Sequence, residues 1–287
     1  MSETTESKFY TKAAQYWSQV PATVNGMLGG FGHISQVDIR TSKMFLRQLL
    51  ASKAPPGQKY ALDCGAGIGR ITKFLLTDMF DKVDLVEQNP DFLETAKKYF
   101  GAQLEHKIGE YYPVGLQDFD PEANKYDVIW IQWVLGHLTD KDFISFLKRC
   151  QKGLNKNGII IVKENITSSD SNEIDETDSS VTRSMRSLKN LFTDSNLYCY
   201  RQLKQTNFPK GIYSVYMFAL KPSDRKTETS SVISESDHNI DKLTDLVKNG
   251  LSNLTKSSEN DVPVEEKCDN LNADTQEEKH QTSTSME

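Results

Sequence analysis

Ala61-Leu-Asp-Cys-Gly-Ala-Gly-Ile-Gly-Arg70 is the stretch on which the reading of the fold turns. Its apolar start continues a short strand, Lys59–Asp63, and its end runs into a helical pattern over Ile68–Met79. Between them, Gly65, Gly67 and Gly69 let the backbone turn sharply and approach a ligand closely. Strand, Gly-rich turn and helix form the opening unit of a layered α/β sheet, which binds ligands beyond the carboxyl ends of its strands. The glycines are spaced Gly-x-Gly-x-Gly, whereas the pyrophosphate of a dinucleotide asks for Gly-x-Gly-x-x-Gly. A nicotinamide oxidoreductase is therefore disfavoured, and a ligand without phosphates is favoured. Twenty residues past Gly67, Glu87 ends the second strand, where a carboxylate can accept both hydroxyl hydrogens of a ribose. Asp63 is expected to orient the loop by accepting backbone N–H bonds.

Working outward, strands and helices alternate. Lys82–Glu87 reads as a strand, Asp91–Phe100 as a helix, Tyr126–Gln132 as a strand, Asp140–Gly153 as a helix and Gly158–Lys163 as a strand. Such alternation implies parallel strands joined by right-handed crossovers. A polar loop leads to a helix at Val181–Ser195, and strands near Tyr198–Gln205 and Tyr213–Leu220 form a hairpin through Asn207–Gly211. Upstream, helical stretches at 7–20 and 38–52 flank the Gly-rich turn Gly26–Gly32. No internal repeat is present.

Charge and aromatic content divide the 287 residues in two. Every Phe, Trp and Tyr lies at or before Phe218, and residues 223–287 carry 15 acidic against 7 basic side chains. A segment of that composition cannot bury enough apolar surface to offset its ordering entropy. The expectation is one domain over 1–222, with 1–57 as N-terminal helices and a substrate-capping Gly-rich turn, and an acidic, mostly disordered tail over 223–287. Within the tail, Ile240, Leu243, Leu246, Val247, Leu251 and Leu254 recur at helical spacing, which marks 238–254 as an amphipathic segment for a weak partner contact. The body holds 27 basic and 25 acidic residues, so nucleic acid is not expected as the main ligand. Cys64, Cys150, Cys199 and Cys268 are scattered without metal-ligand spacing, so no metal is expected. A reducing compartment, cytoplasm and nucleus, follows as the default. No apolar run reaches membrane-spanning length, and no membrane contact is expected.

Several motifs occur together: Phe9-Tyr-x-x-Ala-x-x-Tyr16-Trp17, Gly26-Met-Leu-Gly-Gly-Phe-Gly-His-Ile34, Gly115-Leu-Gln-Asp-Phe119, Tyr126-Asp-Val-Ile-Trp-Ile-Gln-Trp-Val-Leu-Gly-His-Leu-Thr139 and Asp178-Ser-Ser-Val-Thr-Arg183, besides the Gly-rich loop. With them the chain, from about Phe9 to Leu220, resembles the eukaryotic α-N-terminal protein methyltransferases that act on Xaa-Pro-Lys/Arg ends. The resemblance implies a class I, Rossmann-like methyltransferase fold: a seven-stranded, mostly parallel sheet with a C-terminal β-hairpin and extra N-terminal helices. It implies S-adenosyl-L-methionine as cofactor, S-adenosyl-L-homocysteine as product and protein N-termini as acceptors. Cofactor contacts are then expected from Gly65, Arg70, Glu87, Gln88, Leu116, Gln117 and Gln132. An acceptor channel is expected from Trp17, Leu28, Gly29, Ile34, Trp133, Asp175, Ser180, Ile212 and Tyr213, with Asp178, His137 and Asn165 as catalytic residues. The chain departs from the family pattern where Glu87 stands for Asp, Gln88 for an apolar residue and Phe31 for Tyr. The loop between Asn165 and Asp178 is one residue longer.

Chemistry gives these residues their roles. An α-amino group has a pKa of about 8 and is largely protonated at neutral pH, so a base is needed. An unperturbed imidazole, at about 6.5, matches an ammonium better than a carboxylate at about 3.9, and both His137 and Asp178 are expected to contribute. Asn165 can hydrogen-bond the incoming terminus. Trp133 offers a flat face to a proline ring, which has no N–H to strand. The acidic run Asp170, Glu173, Asp175, Glu176 and Asp178 suits a Lys or Arg at the third position. Two rival readings remain at this stage: a methyltransferase with a small-molecule acceptor, and a catalytically silent binding module.

Overall fold

The β4 strand (Tyr126–Gln132) is buried along its whole length, because its apolar run serves both faces of a sheet. Ile129 and Ile131 join one apolar layer with Phe143, Phe146 and Phe192, while Val128 and Trp130 join the opposite layer with Phe45, Leu46 and Leu75. This is the alternation of side chains that a strand enforces.

The chain is described here by a computed structural model covering residues 5–223. The tail from 224 onward, and with it the expected disorder and the 238–254 segment, lies outside the described residues. Helices α1 (Thr5–Gln19), α2 (Val24–Met27) and α3 (Ser35–Leu50) come first. Then follow β1 (Tyr60–Cys64), β2 (Lys82–Val86), α4 (Pro90–Phe100), α5 (Ala102–Glu105), β3 (Ile108–Tyr112) and β4. The rest is α6 (Asp140–Gly153), β5 (Leu154–Ile166), β6 (Glu173–Asp175), β7 (Ser180–Thr182), α7 (Met185–Asp194), β8 (Leu197–Lys204) and β9 (Ser214–Pro222). The main sheet has seven strands in the order β3-β2-β1-β4-β5-β9-β8, and only β9 runs antiparallel to its neighbours. Strand order reverses between β1 and β4, which opens the crevice where such sheets bind ligands.

Three local readings are corrected. The helix expected over Ile68–Met79 shrinks to a few residues with a π-turn at Thr72–Leu76. Gly67 and Gly69 stand at φ +54° and +78°, which keeps the loop non-helical, and Asp63 Oδ2 then takes the Thr72 N–H at 3.0 Å and its hydroxyl at 2.7 Å. Such π-turns concentrate at functional sites. The helix expected from Val181 starts instead at Met185, where the Ser184 side chain accepts from Ser187 N. Residues 180–182 pair with 173–175 in a small hairpin inside the stretch read as a polar loop. Finally, β3 completes the seventh strand; among its residues only Ile108 is buried, so an edge strand shows no apolar run.

Candidate active site

At the sheet's switch point the β1 turn is held to the neighbouring strand, with Gly65 N and Ala66 N both donating to Val86 O. Glu87, just past β2, accepts from Gly67 N through Oε2 at 3.0 Å and from Asn89 N through Oε1 at 2.9 Å. Burial pushes the Glu87 carboxyl up, and those backbone bonds pull it back toward the charged form. A Cβ on Gly67 would lie 2.6 Å from Met27 Sδ, so α2 rests directly on the loop. Likewise, a Cβ on Gly65 would sit 2.6 Å from Val134 Cγ2.

The seven expected cofactor residues, Gly65, Arg70, Glu87, Gln88, Leu116, Gln117 and Gln132, all line one cavity at this place. Trp17, Trp133 and His137 line it too, and so do Tyr10, Ala13, Met27, Phe92 and Val114, which sequence reasoning did not single out. Two of the expected polar contacts are partly spoken for. Arg70 Nη1 is ion-paired with Asp38 Oδ2 at 2.7 Å. The Gln132 amide gives its N–H to both Asp38 oxygens at 3.0 and 3.1 Å and receives the Trp130 indole N–H at 3.0 Å.

Asp38 was missed and organises the floor. It is fully buried and also pairs with Lys163 Nζ at 2.5 Å, itself fully buried and bonded to Ser42 Oγ and Gln205 Oε1. Burial alone would raise the Asp38 carboxyl, but the Lys163 ammonium and the Arg70 guanidinium outweigh it and hold it below the ordinary range. Both cations approach the face of Trp133, with Arg70 Cζ at 5.8 Å and Lys163 Nζ at 6.0 Å from the ring centroid. Trp133 is locked at φ +53° by its N–H bond to Lys163 O. One signal for Asp38 was present in the sequence: it shares a helical face with Thr41, Ser42, Phe45, Leu46 and Leu49, all buried.

The expected channel and catalytic residues are spread over six segments. Leu28 and Ile34 are buried beside Gly29, which takes φ +55° in the cap between α2 and α3. His137 ends the 3-10 turn Leu135–His137 and accepts the Trp17 indole N–H on Nε2 at 3.0 Å. That bond ties α1 across the cavity. With Nε2 accepting, Nδ1 carries the proton and faces Ser179 O at 3.4 Å. Burial lowers the pKa of His137, while the nearby Asp178 carboxylate pulls the other way. Asp178 Oδ1 and Trp133 Nε1 are the two described side-chain polar atoms that are buried without a hydrogen-bond partner. Asn165 lies on β5 opposite Val215 of β9. Asp175 and Ser180 pair across the β6–β7 hairpin, with Asp175 exposed and accepting from Thr177 N. Ile212 and Tyr213 precede β9, and the Tyr213 hydroxyl donates to Glu173 Oε2 at 2.6 Å. Leu28, Gly29, Ile34, Asn165, Asp175, Asp178, Ser180, Ile212 and Tyr213 are not on the wall of the cofactor cavity itself.

The cavity suits a nucleoside without phosphates. Among the described residues no lysine lines it, its one guanidinium is already paired, and glycines stand where any side chain would fill the cradle. Glu87 is left to take hydroxyls, and Val86, Phe92, Val114 and Leu116 offer apolar walls to a base.

A seven-stranded sheet of this order, with that turn and that carboxylate at its switch point, defines the class I S-adenosylmethionine-dependent methyltransferases. Among solved structures the chain is similar to such a methyltransferase of Leishmania major, with a TM-score of 0.70 and 41% identity, over 74% of this chain and 83% of that one. To phosphoethanolamine N-methyltransferase 1 of Haemonchus contortus, at 17% identity and a TM-score of 0.57 over 78% and 51% of the chains, the likeness is one of fold alone. A family model described as AdoMet dependent proline di-methyltransferase matches residues 5–221. The chain is 50% identical over 218 residues to N-terminal Xaa-Pro-Lys N-methyltransferase 1 of Xenopus tropicalis, covering 75% of this chain and 96% of that protein. It is 49% identical over 223 residues to alpha N-terminal protein methyltransferase 1 of Drosophila melanogaster, covering 77% and 79%. The chain belongs to this family of AdoMet-dependent proline methyltransferases, and S-adenosylmethionine is its cofactor.

Proposed function

We propose that the chain transfers methyl groups from S-adenosylmethionine to the free α-amino group of protein N-termini that begin Xaa-Pro-Lys or Xaa-Pro-Arg. The observation that carries this reading is the buried, unpartnered Asp178 Oδ1, set close to His137 in a chain whose relatives are named for that acceptor. When bound, the cofactor supplies an electrophilic methyl group on a sulfonium. What the protein must supply is an amine lone pair, aligned and uncharged.

Asp178 is the acceptor for the ammonium proton, since its Oδ1 has no competing partner. His137 serves differently from the sequence-based expectation. Its Nε2 lone pair is taken by Trp17, so in this state the imidazole is a neutral latch and takes a proton only when Trp17 yields. Asn165 presents its amide to the incoming terminus from the end of β5. Trp133, backed by two cations, receives the proline ring, with Leu28, Ile34 and Ile212 closing the slot and Gly29 and Ser180 at its edges. Asp175 and Glu176, exposed on the β6–β7 hairpin, face a basic third residue; Tyr213 and Glu173 tie that hairpin to the β9 approach. The free Cys64, Cys150 and Cys199 fit a reducing site of action, cytoplasm and nucleus, which fractionation tests.

The deciding experiment is mass spectrometry of Xaa-Pro-Lys hexapeptides incubated with enzyme and cofactor. Mass gains of one or more methyl groups are expected there and not on Xaa-Ala-Lys or N-acetylated controls. Equal labelling of a blocked terminus, or labelling only of metabolite amines, sinks the proposal.

A further inference from the structure

Two buried charged side chains near the site have no place in the mechanism above, and both grip the same short turn. Glu164, 9% exposed, sends Oε1 to the backbone N–H groups of Val134 and Leu135, both at 2.9 Å. Those N–H groups open the Leu135–His137 turn, where a helix start has no internal acceptor for them. Arg183, 4% exposed, holds the carbonyl side: Nη1 donates to Leu135 O at 2.8 Å and Nη2 to Leu138 O at 2.7 Å. The same guanidinium binds Asp140 Oδ1 through Nε at 3.0 Å and Nη2 at 2.7 Å and lies over Phe143, with Cζ 5.0 Å from the ring centroid.

We propose that Glu164 and Arg183 are positioning residues for methyl transfer, clamping the Leu135–His137 turn from both ends so that His137 meets Trp17 and Asp178 in one register. The clamp lies between the segments that carry Trp133, His137, Asn165 and Asp178. Three successive β5 residues divide the work: Lys163 O holds Trp133 N, Glu164 holds the turn, and Asn165 faces the acceptor. Arg183 sits at the end of β7, five residues from Asp178, and its own backbone accepts from Thr167 N at 3.2 Å beside β5. One guanidinium therefore couples the strand leading from Asp178 to the turn bearing His137. Burial lifts the Glu164 carboxyl to about 7 against its backbone bonds and the Arg183 charge, a standing cost that a plain structural cap such as Asn would avoid.

The roles assigned to His137 and Asp178 rest on the function proposed above, so the test is read in two ways. Steady-state kinetics on a Xaa-Pro-Lys peptide are compared for wild type, Glu164→Gln, Glu164→Ala and Arg183→Lys, with cofactor Kd and thermal midpoint measured alongside. Glu164→Gln keeps an acceptor oxygen and is expected within about threefold of wild-type kcat. Glu164→Ala and Arg183→Lys, which loses the fork but keeps the charge, are expected to lower kcat by about 10- to 100-fold, as small misplacements do. Because Val134, His137 and Leu138 line the cofactor cavity, kcat is read at saturating cofactor for each variant, so that a change in cofactor Kd does not enter it. The second readout needs no acceptor: the imidazole 15N spectrum of His137, assigned with a His137→Gln control, is expected to show an Nδ1–H tautomer in wild type and to lose it in Glu164→Ala. Where Glu164→Ala does not fold, Arg183→Lys decides. Wild-type kcat and an unchanged imidazole spectrum in the folded variant overturn the inference. Peptide-inactive wild type with the imidazole response intact instead overturns the acceptor reading.

Discussion

At the scale of single residues, the contact that most changes the chemistry is the one between Trp17 and His137. Residue types alone favoured the imidazole as base, because its unperturbed pKa is the better match to an amine. The structure occupies its Nε2 and leaves Asp178 Oδ1 open instead. Replacing Asp178 with Asn is therefore expected to lower kcat on a Xaa-Pro-Lys peptide by about 100-fold or more. Cofactor Kd, read by calorimetry, should not move; an unchanged kcat removes Asp178 as the base. A pH prediction follows from His137. Its folded pKa is depressed below the ordinary 6.5 by burial, so the Trp17 bond, which needs the neutral ring, is present above that value and lost as pH falls through the lowered one. Indole fluorescence followed in the acid range should show a transition that Trp17→Phe abolishes, and its persistence in that variant would count against the latch.

Elements show where pattern reading succeeds. The β1 turn was legible because its geometry leaves little choice: Gly67 at φ +54° beside Met27 Sδ admits no side chain. Gly67→Ala adds a left-handed penalty of about 1–2 kcal/mol to that clash. Its expected result is a rise of tenfold or more in cofactor Kd, with the far-ultraviolet circular dichroism of wild type; an unchanged Kd refutes the close approach of α2. Elements without an apolar period escaped. The β6–β7 hairpin is exposed along β6 and half-buried along β7, and β3 is an edge strand, so neither carries the alternation that betrays a half-buried strand. The helix expected over Ile68–Met79 starts late because Gly67 and Gly69 hold positive φ, and Asp63 then caps Thr72 N.

Across the whole molecule, the floor under Trp133 joins α3, the β1 turn, β4 and β5 through Asp38. Taking away that one anion strands two buried cations. Asp38→Asn is thus expected to destabilise by about 3–5 kcal/mol, measured by urea unfolding. A loss below about 1 kcal/mol, the range of an exposed pair, contradicts the network. Because the folded carboxyl titrates below its ordinary 3.8, its contribution is present above that value and disappears as pH falls through the folded one. Acid unfolding of wild type should therefore be steeper than that of Asp38→Asn.

From the chain alone came the parallel α/β sheet, the cofactor turn with Glu87, the family and seven of the residues that line the cavity, because each depends on short-range rules: glycine geometry, strand and helix periods, and motifs held in one segment. Tertiary structure alone decided which polar atoms are already spent. Trp17 and His137 stand 120 residues apart, and Asp38 and Lys163 are separated by 125. No local pattern encodes such pairings; they arise when the sheet closes and buried charges must find partners or remain unpaid in a medium that solvates them poorly.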